Sequence, residues 1–169
     1  DDVFKSISHL LNKDGILIIE DPSFLECIKK VSYDQFYNEH LYVFSALAVK
    51  HLINKYDLVI FDIENISTHG GSLRYYIKKK SNKKFKIKKN VVIQLTKEIK
   101  FGLNRLSTYK KFGQSAAKSK KNLVKILHKI KEKKYKIIGY GATAKATTVL
   151  NYCGIDENII DYFVDTTPD

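Results

Sequence analysis

The chain has 169 residues, 44% hydrophobic and 28% charged, which suits a soluble globular protein with a sizeable core in one domain or two small ones. Its net charge of +12 points at first to nucleic acid. Of the 30 Lys and Arg, however, only Arg74 and Arg105 are arginines, and Arg is the residue suited to bidentate phosphate and base reading; nucleic acid is therefore not expected as a partner. Cys27 and Cys153 lie far apart, with no CxxC and no Cys/His cluster at zinc spacing, so no metal site is expected in this chain, and lone cysteines suit a reducing, cytoplasmic setting. Apolar runs such as Gly15–Ile19 are too short to span a bilayer, so no membrane partner is expected.

There is no Met, and residues 3–11 already read as a helix, with Phe4, Ile7, Leu10 and Leu11 on one side. The last residues follow an apparent strand. The chain reads as an internal piece of a longer protein, truncated at both ends. Lys13-Asp-Gly15 stops the first helix. Ile16–Glu20 is a continuous apolar run, the pattern of a strand buried on both faces of a parallel sheet. Residues 33–45 read as loop and short helix. Residues 46–55 read as a helix with Leu47, Val49, Leu52 and Ile53 inward. Residues 58–66 alternate around Val59, Phe61 and Ile63 and read as a strand. Thr68–Gly71 is a turn and residues 72–77 a further strand, so the two strands can pair antiparallel at the end of a sheet. The basic connector 81–89 is the expected domain boundary.

Beyond it come two helical stretches. The first carries Val92, Leu95, Ile99, Leu103 and Leu106; the second carries Tyr109, Phe112, Ala116, Leu123, Ile126 and Ile130. Residues 136–141 are a strand entering a glycine turn, 144–152 a helix, and 159–165 a strand. Strand, glycine turn, helix, strand is a βαβ unit. The fold class expected is α/β.

Three constellations carry chemistry. Tyr37, Glu39 and His40 place a phenol, a carboxylate and an imidazole within four residues, a set able to move a proton and bind an oxyanion. The plainer reading is a polar loop anchored by Tyr33, Phe36, Tyr37, Tyr42 and Phe44. Thr68-His69-Gly70-Gly71 brings backbone N–H groups close together, either as an anion cradle or as a bare hairpin turn. Gly139–Lys145 sits where a strand enters a helix, a ready anion site with an added ammonium, or simply a tightly packed turn. His9, His51 and His128 read as surface residues. Neither cysteine has a nearby His in sequence to activate it.

The segment Tyr33-Asp-Gln-Phe-Tyr-Asn-Glu-His40 resembles the (Y/F)DQxYHEH motif of S-adenosylmethionine-dependent sugar C-methyltransferases, which act on nucleotide-linked keto-deoxysugars. Thr68-His-Gly-Gly-Ser-Leu-Arg74 is similar to that family's THGGSLR. Residues 139–155, GYGATAKATTVLNYCGI, are similar to its GYGAPAKGNTLLNYCGI. The order and spacing match over nearly the whole chain. Departures are Asn38 for a His, the order of residues 41–44, Thr143 for Pro, Ala146 for Gly and Thr147 for Asn.

The resemblance implies that residues 1–80 are the C-terminal part of a class I, Rossmann-like methyltransferase domain. Residues 81–169 would then be an incomplete, Rossmann-like C-terminal domain. It implies S-adenosylmethionine as cofactor, held mainly by residues upstream, and a structural zinc upstream. It implies that His40 removes a proton beside a sugar ketone, Glu39 orients or polarises His40, and Tyr37 binds the enolate oxygen. It assigns Tyr33, Thr68, His69, Gly70, Gly71, Arg74, Gly139, Tyr140, Gly141, Lys145 and Asn151 to the nucleotide-linked sugar. A nucleotide-binding module without chemistry, an inactive fragment, and an O- or N-methyltransferase remain as alternatives. The oligomeric state and the sugar are left open.

Overall fold

The computed structural model describes residues 2–166. The chain has a mixed α/β fold and divides into two compact units: residues up to Lys30 with Val43–Tyr109, and Val31–Tyr42 with residues from Lys110 onward.

The first unit contains α1 (Asp2–Leu10), β1 (Ile16–Pro22), α2 (Phe24–Lys30), α3 (Ala46–Asn54), β2 (Leu58–Ile66), β3 (Ser72–Lys79) and α4 (Lys89–Phe101). Its sheet has the order β1-β3-β2. β3 runs antiparallel to both neighbours, from Pro22↔Ser72 to Ile16↔Lys78 on one side and from Ile66↔Ser72 to Leu58↔Lys79 on the other. The β2–β3 hairpin is the antiparallel pair expected from the period-two pattern.

β1 corrects the expectation of a two-face-buried strand in a parallel sheet. It pairs antiparallel at the sheet edge and alternates in burial. Leu17 and Ile19 pack on the core, whereas Ile16 and Ile18 are 40% and 50% exposed. A continuous apolar run fits either arrangement, and only the covering layer decides between them.

In β2 the register shifts between Ile60 and Asp62. The extra residue, Phe61, breaks the simple alternation. Leu58, Ile60 and Ile63 enter the core with Leu73, Tyr75 and Ile77 of β3 and with Ala46, Val49 and Ile53 of α3. Phe61 is instead placed with its ring 4.9 Å from that of Phe85 and 6.1 Å from that of Tyr76. α3 begins at Ser45, whose side chain accepts from Ala48 N at 3.1 Å, an N-cap that satisfies one of the helix's unpaired donors.

The connector 81–89 is pinned to this unit. Lys88 N donates to Phe61 O at 2.8 Å, and Lys88 Nζ pairs with Asp62 at 2.6 Å. α4 then turns an unexpected face inward. Gln94 and Glu98 are buried, while Val92, Ile93 and Ile99 are exposed, so only Leu95 of the predicted Val92–Leu95–Ile99 stripe packs on the core. The reason is polar: Glu98 accepts from Ala46 N and Leu47 N, both at 2.9 Å.

Asp62 is the buried end of its ion pair. Burial pushes its carboxyl up, but hydrogen bonds from Lys88, Ile63 N and Asn90 outweigh that and hold it below the usual carboxylate range. A carboxyl depressed on folding adds stability that is complete above its unfolded pKa, about 3.9, and is lost as pH falls through the lower folded value. Urea unfolding of Asp62→Asn should therefore show a smaller loss of stability than the parent between about pH 4 and pH 2. Parallel pH dependence in both would contradict the assignment.

The second unit holds most of α5 (Leu106–Glu132), then β4 (Ile138–Tyr140), α6 (Ala144–Cys153) and β5 (Tyr162–Val164). β4 and β5 pair in parallel, Ile138↔Tyr162 to Tyr140↔Val164, with α6 as the crossover. This is the βαβ unit expected, with shorter strands. α6 opens on Thr143, whose Oγ1 accepts from Ala146 N at 3.3 Å. It closes at Gly154, left-handed at φ 69°, where glycine carries no Cβ penalty. Its core joins Cys153, Ile155 and Ile159 with Leu123, Val124 and Leu127 of α5. Among the described residues no helix is long and apolar enough to cross a membrane.

Candidate functional site

Residues 33–35 form a single 3-10 turn, and Tyr37–His40 form a tight reverse turn in which His40 N donates to Tyr37 O at 3.0 Å. This reverse turn puts the Tyr37 and His40 rings on one side, with centroids 5.0 Å apart and planes at 51°. Asn38 and Glu39 occupy the two corners and are exposed. The imidazole and phenol are thus neighbours by backbone geometry, and Glu39 sits beside them on the solvent side.

This turn belongs to the second unit, where α6 backs the residues leading into it. Tyr33 Oη lies 3.7 Å from Cys153 Sγ, and its ring lies 5.1 Å from that of Tyr152. Burial pushes the Tyr33 phenol up, and the Cys153 thiol pushes it further, so Tyr33 keeps its proton at neutral pH. Thr148 Oγ1 donates to Phe36 O at 2.9 Å. Two motifs about a hundred residues apart in sequence, Tyr33–His40 and residues 139–155, are therefore in contact within one compact unit.

The Gly139–Lys145 turn is closely built. A Cβ on Gly139 would lie 2.2 Å from the Phe163 ring, so glycine is required for β4 to sit against β5. Gly141 has φ +90°, with Thr143 Cγ2 4.0 Å from where a Cβ would sit, and its N–H donates to Val164 O at 2.8 Å. Ala142 N donates to Asp165 Oδ2 at 2.5 Å. Two N–H groups of the turn are thus already used within the protein, and a carboxylate stands at its mouth. Tyr140 is 75% exposed, Asn151 is exposed, and Lys145 is half-buried on the first turn of α6.

Thr68–Arg74 lies in the first unit. His69, Gly70 and Gly71 all have positive φ, at 51°, 81° and 126°. For His69 this is an uncommon conformation, and for Gly71 a Cβ would meet Glu26 at 3.0 Å. Lys30 Nζ donates to Gly70 O. Thr68 Oγ1 donates to Glu20 at 2.9 Å. Arg74 grips Glu20 through Nε at 3.1 Å and Nη2 at 2.9 Å, and lies 3.5 Å from Glu64. Hydrogen bonds from Arg74 and Thr68 hold the Glu20 carboxyl below its usual range. The guanidinium is thus compensated by two carboxylates and ties β1, β3 and β2 together. Among the described residues no group of three or more His, Cys, Asp and Glu is placed to hold a metal ion.

Residues 67–169 match the family model of the C-methyltransferase C-terminal domain. The chain belongs to the C-methyltransferase family. It is also 25% identical over 166 residues to C-methyltransferase NovU of Streptomyces niveus, an alignment that covers 98% of this chain and 39% of that relative. The chain therefore spans about two fifths of the relative's length. In this chain the family match starts at residue 67, ahead of the connector 81–89, and takes in β3 and α4, which pack in the first compact unit. Family domain and compact unit cut the chain at different places.

Thr148, Asp165 and Glu98 carry parts of this arrangement that the sequence reading passed over. Thr148 stands one turn beyond Lys145 inside a singled-out motif, so its position was visible but its partner was not. Asp165 lies at the end of a predicted strand. Glu98 lies on a helix whose apolar spacing drew attention to other residues.

Proposed function

We propose that the protein carrying this chain transfers a methyl group from S-adenosylmethionine to a sugar carbon next to a keto group in a nucleotide-linked deoxysugar, by way of an enolate. The observation that supports this best is the Tyr37–His40 turn, with its imidazole and phenol 5.0 Å apart in a member of the C-methyltransferase family. On the same reading, the three-stranded sheet is the end of a class I methyltransferase sheet, and β4–α6–β5 belongs to a Rossmann-like C-terminal domain.

Carbon accepts a methyl group only as a nucleophile, and a ketone makes its neighbouring carbon one by loss of a proton. His40 takes that proton on a ring nitrogen. The electron pair of the C–H bond becomes the enolate, with charge on the former ketone oxygen. The Tyr37 hydroxyl donates to that oxygen and lowers the cost of the charge. Glu39, at the turn corner, is assigned the role of orienting or polarising His40. His40 then passes its proton to solvent.

S-adenosylmethionine supplies an electrophilic methyl group when bound. The described residues do not make a full cradle for it. Gly141 N and Ala142 N, the backbone donors such a cradle needs at the glycine turn, are bonded to Val164 O and Asp165. We place its main binding residues, and the family's structural zinc, outside this chain. The nucleotide-linked sugar is assigned to Tyr33, Tyr140, Asn151, Lys145 and the glycine turn. Lys145 supplies the charge for a phosphate, and the turn faces the nucleoside. Thr68–Gly71 and Arg74 are assigned to the same substrate, with Arg74's share limited by its two carboxylate partners. A nucleotide sugar as partner, without nucleic acid or membrane, and a cytoplasmic location complete the reading.

The test is product analysis. The full protein is given a nucleotide-linked keto-deoxysugar and a donor whose methyl is carbon-13 labelled. Proton–carbon correlation spectra should place the label on a ring carbon beside the former ketone. A label on oxygen or nitrogen would replace this reading with an O- or N-methyltransferase. In the same assay Lys145→Ala should raise KM for the sugar nucleotide by roughly 10-fold, the scale of one charged contact, and leave KM for the donor within about twofold. Gly141→Val should do more harm, because valine at φ +90° strains the backbone. A Lys145→Ala variant impaired only toward the donor would assign the turn to the other ligand.

A further inference from the structure

We propose that Thr148 is a positioning residue for His40: by holding the Phe36 carbonyl, its hydroxyl sets the backbone from which the Tyr37–His40 turn is built. The inference rests on the proton-transfer role given to His40 above, but its geometry is independent of that role.

The Phe36 carbonyl belongs to the peptide plane that joins Phe36 to Tyr37. The 2.9 Å bond from Thr148 Oγ1 therefore fixes the orientation of the peptide entering the turn. The turn's own bond, His40 N to Tyr37 O, closes the loop on itself. Upstream of Tyr37 the segment also packs through rings and a thiol: Tyr33 against Tyr152 and Cys153, and Phe36 against Phe112 at 6.4 Å. Ring contacts of that kind tolerate sliding. A hydrogen bond to a carbonyl is directional and does not.

Threonine is an odd choice for this position if the helix alone is considered. It is a weak helix former, and inside a helix its hydroxyl ordinarily turns back to the carbonyl four residues earlier. Here the hydroxyl leaves its own helix and serves a segment 112 residues away in sequence. The same helix carries Lys145 one turn earlier. A helix of ten residues is a rigid rod about 15 Å long, so the group assigned to the nucleotide and the group that sets the base move as one piece.

The experiment compares Thr148→Val, which keeps the shape and removes the hydroxyl, with Thr148→Ser, which keeps the hydroxyl. Both are made in the full protein. Three quantities are read: kcat and KM for the sugar nucleotide, and amide hydrogen exchange by mass spectrometry over peptides covering residues 36–42 and α6. Thr148→Val should lower kcat by about 10-fold, the order of one lost hydrogen bond, with KM within about twofold. It should speed amide exchange across residues 36–42 while leaving α6 unchanged. Thr148→Ser should restore both. Wild-type exchange across residues 36–42 in Thr148→Val would overturn the proposal whatever the protein's reaction is. So would faster exchange spread equally over α6 without rescue by Ser, which marks a merely structural residue. If the exchange result holds but kcat is unmoved, Thr148 positions the turn and His40 is not the base, which overturns its role as a positioning residue for the reaction.

Discussion

Replacing His40 by Asn should lower turnover of the full protein by ~10²–10⁴-fold, the usual contribution of a positioned general base. Asn keeps a polar side chain of similar reach but cannot take a proton near neutral pH. The tight turn survives, because its closing bond is between backbone groups, His40 N and Tyr37 O. KM for both substrates and the unfolding transition should therefore change little. Tyr37→Phe should cost roughly 10²–10³-fold, the scale of one lost donor to an oxyanion, and should likewise leave the fold intact. Steady-state kinetics on the folded variants checks both. Near wild-type turnover in His40→Asn would remove the imidazole from the mechanism.

The second large effect concerns stability. Glu98 is fully buried and accepts three hydrogen bonds: from Ala46 N, Leu47 N and Gln94 Nε2, each at 2.9 Å. The first two donors are the opening N–H groups of α3, which have no partner within their own helix. A carboxylate from α4 thus does the work of a capping residue, and its charge suits the positive end of the α3 dipole. Glu98→Ala leaves all three donors without their acceptor in a largely buried site, at an expected cost of about 3–5 kcal/mol. Glu98→Gln keeps an acceptor oxygen for one of them and should cost about half as much. Urea unfolding of the two variants gives the numbers. A loss under ~1 kcal/mol for the alanine variant would mean that water replaces the carboxylate and that the site is wetter than described.

Much of the local structure was legible. The inward spacing of Leu47, Val49, Leu52 and Ile53 marked α3, and Thr68–Gly71 between two strands marked the β2–β3 hairpin. The βαβ unit followed from Gly-Tyr-Gly between an apolar run and a helical one. What escaped was set by tertiary partners. The run Ile16–Glu20 does not say which way its neighbour points, and β3 turned out antiparallel. The bulge at Phe61 shifted the inward residues to Leu58, Ile60 and Ile63, because one inserted residue breaks a period of two. In α4 the apolar spacing of Val92 and Ile99 was real, yet the helix rolled to bring Glu98 onto the end of α3.

For the candidate site, the residue types of the Tyr37–His40 segment were visible. That the backbone there is a reverse turn was not, since Asn38 and Glu39 are tolerated in helices and turns alike. Nor was the attachment of this segment to α6. Thr148, Tyr152 and Cys153 lie on one helix at i, i+4 and i+5, and nothing in their spacing names Phe36 or Tyr33 as partners. Arg74 was assigned to the nucleotide-linked sugar through the resemblance of Thr68–Arg74; its pairing with Glu20 and Glu64 depends on strand register, which the hairpin alone does not fix on the β1 side.

The most direct test of the enolate mechanism is solvent exchange without methyl transfer. The nucleotide-linked keto-deoxysugar is incubated in deuterium oxide with the full protein, and incorporation at the carbon beside the ketone is followed by proton NMR. The wild-type protein should exchange that position well above the uncatalysed rate, and His40→Asn should bring exchange back to that rate. A wild-type protein that methylates its substrate yet leaves this carbon's proton at the background rate, or a His40→Asn variant that exchanges like wild type, would contradict His40 as the base.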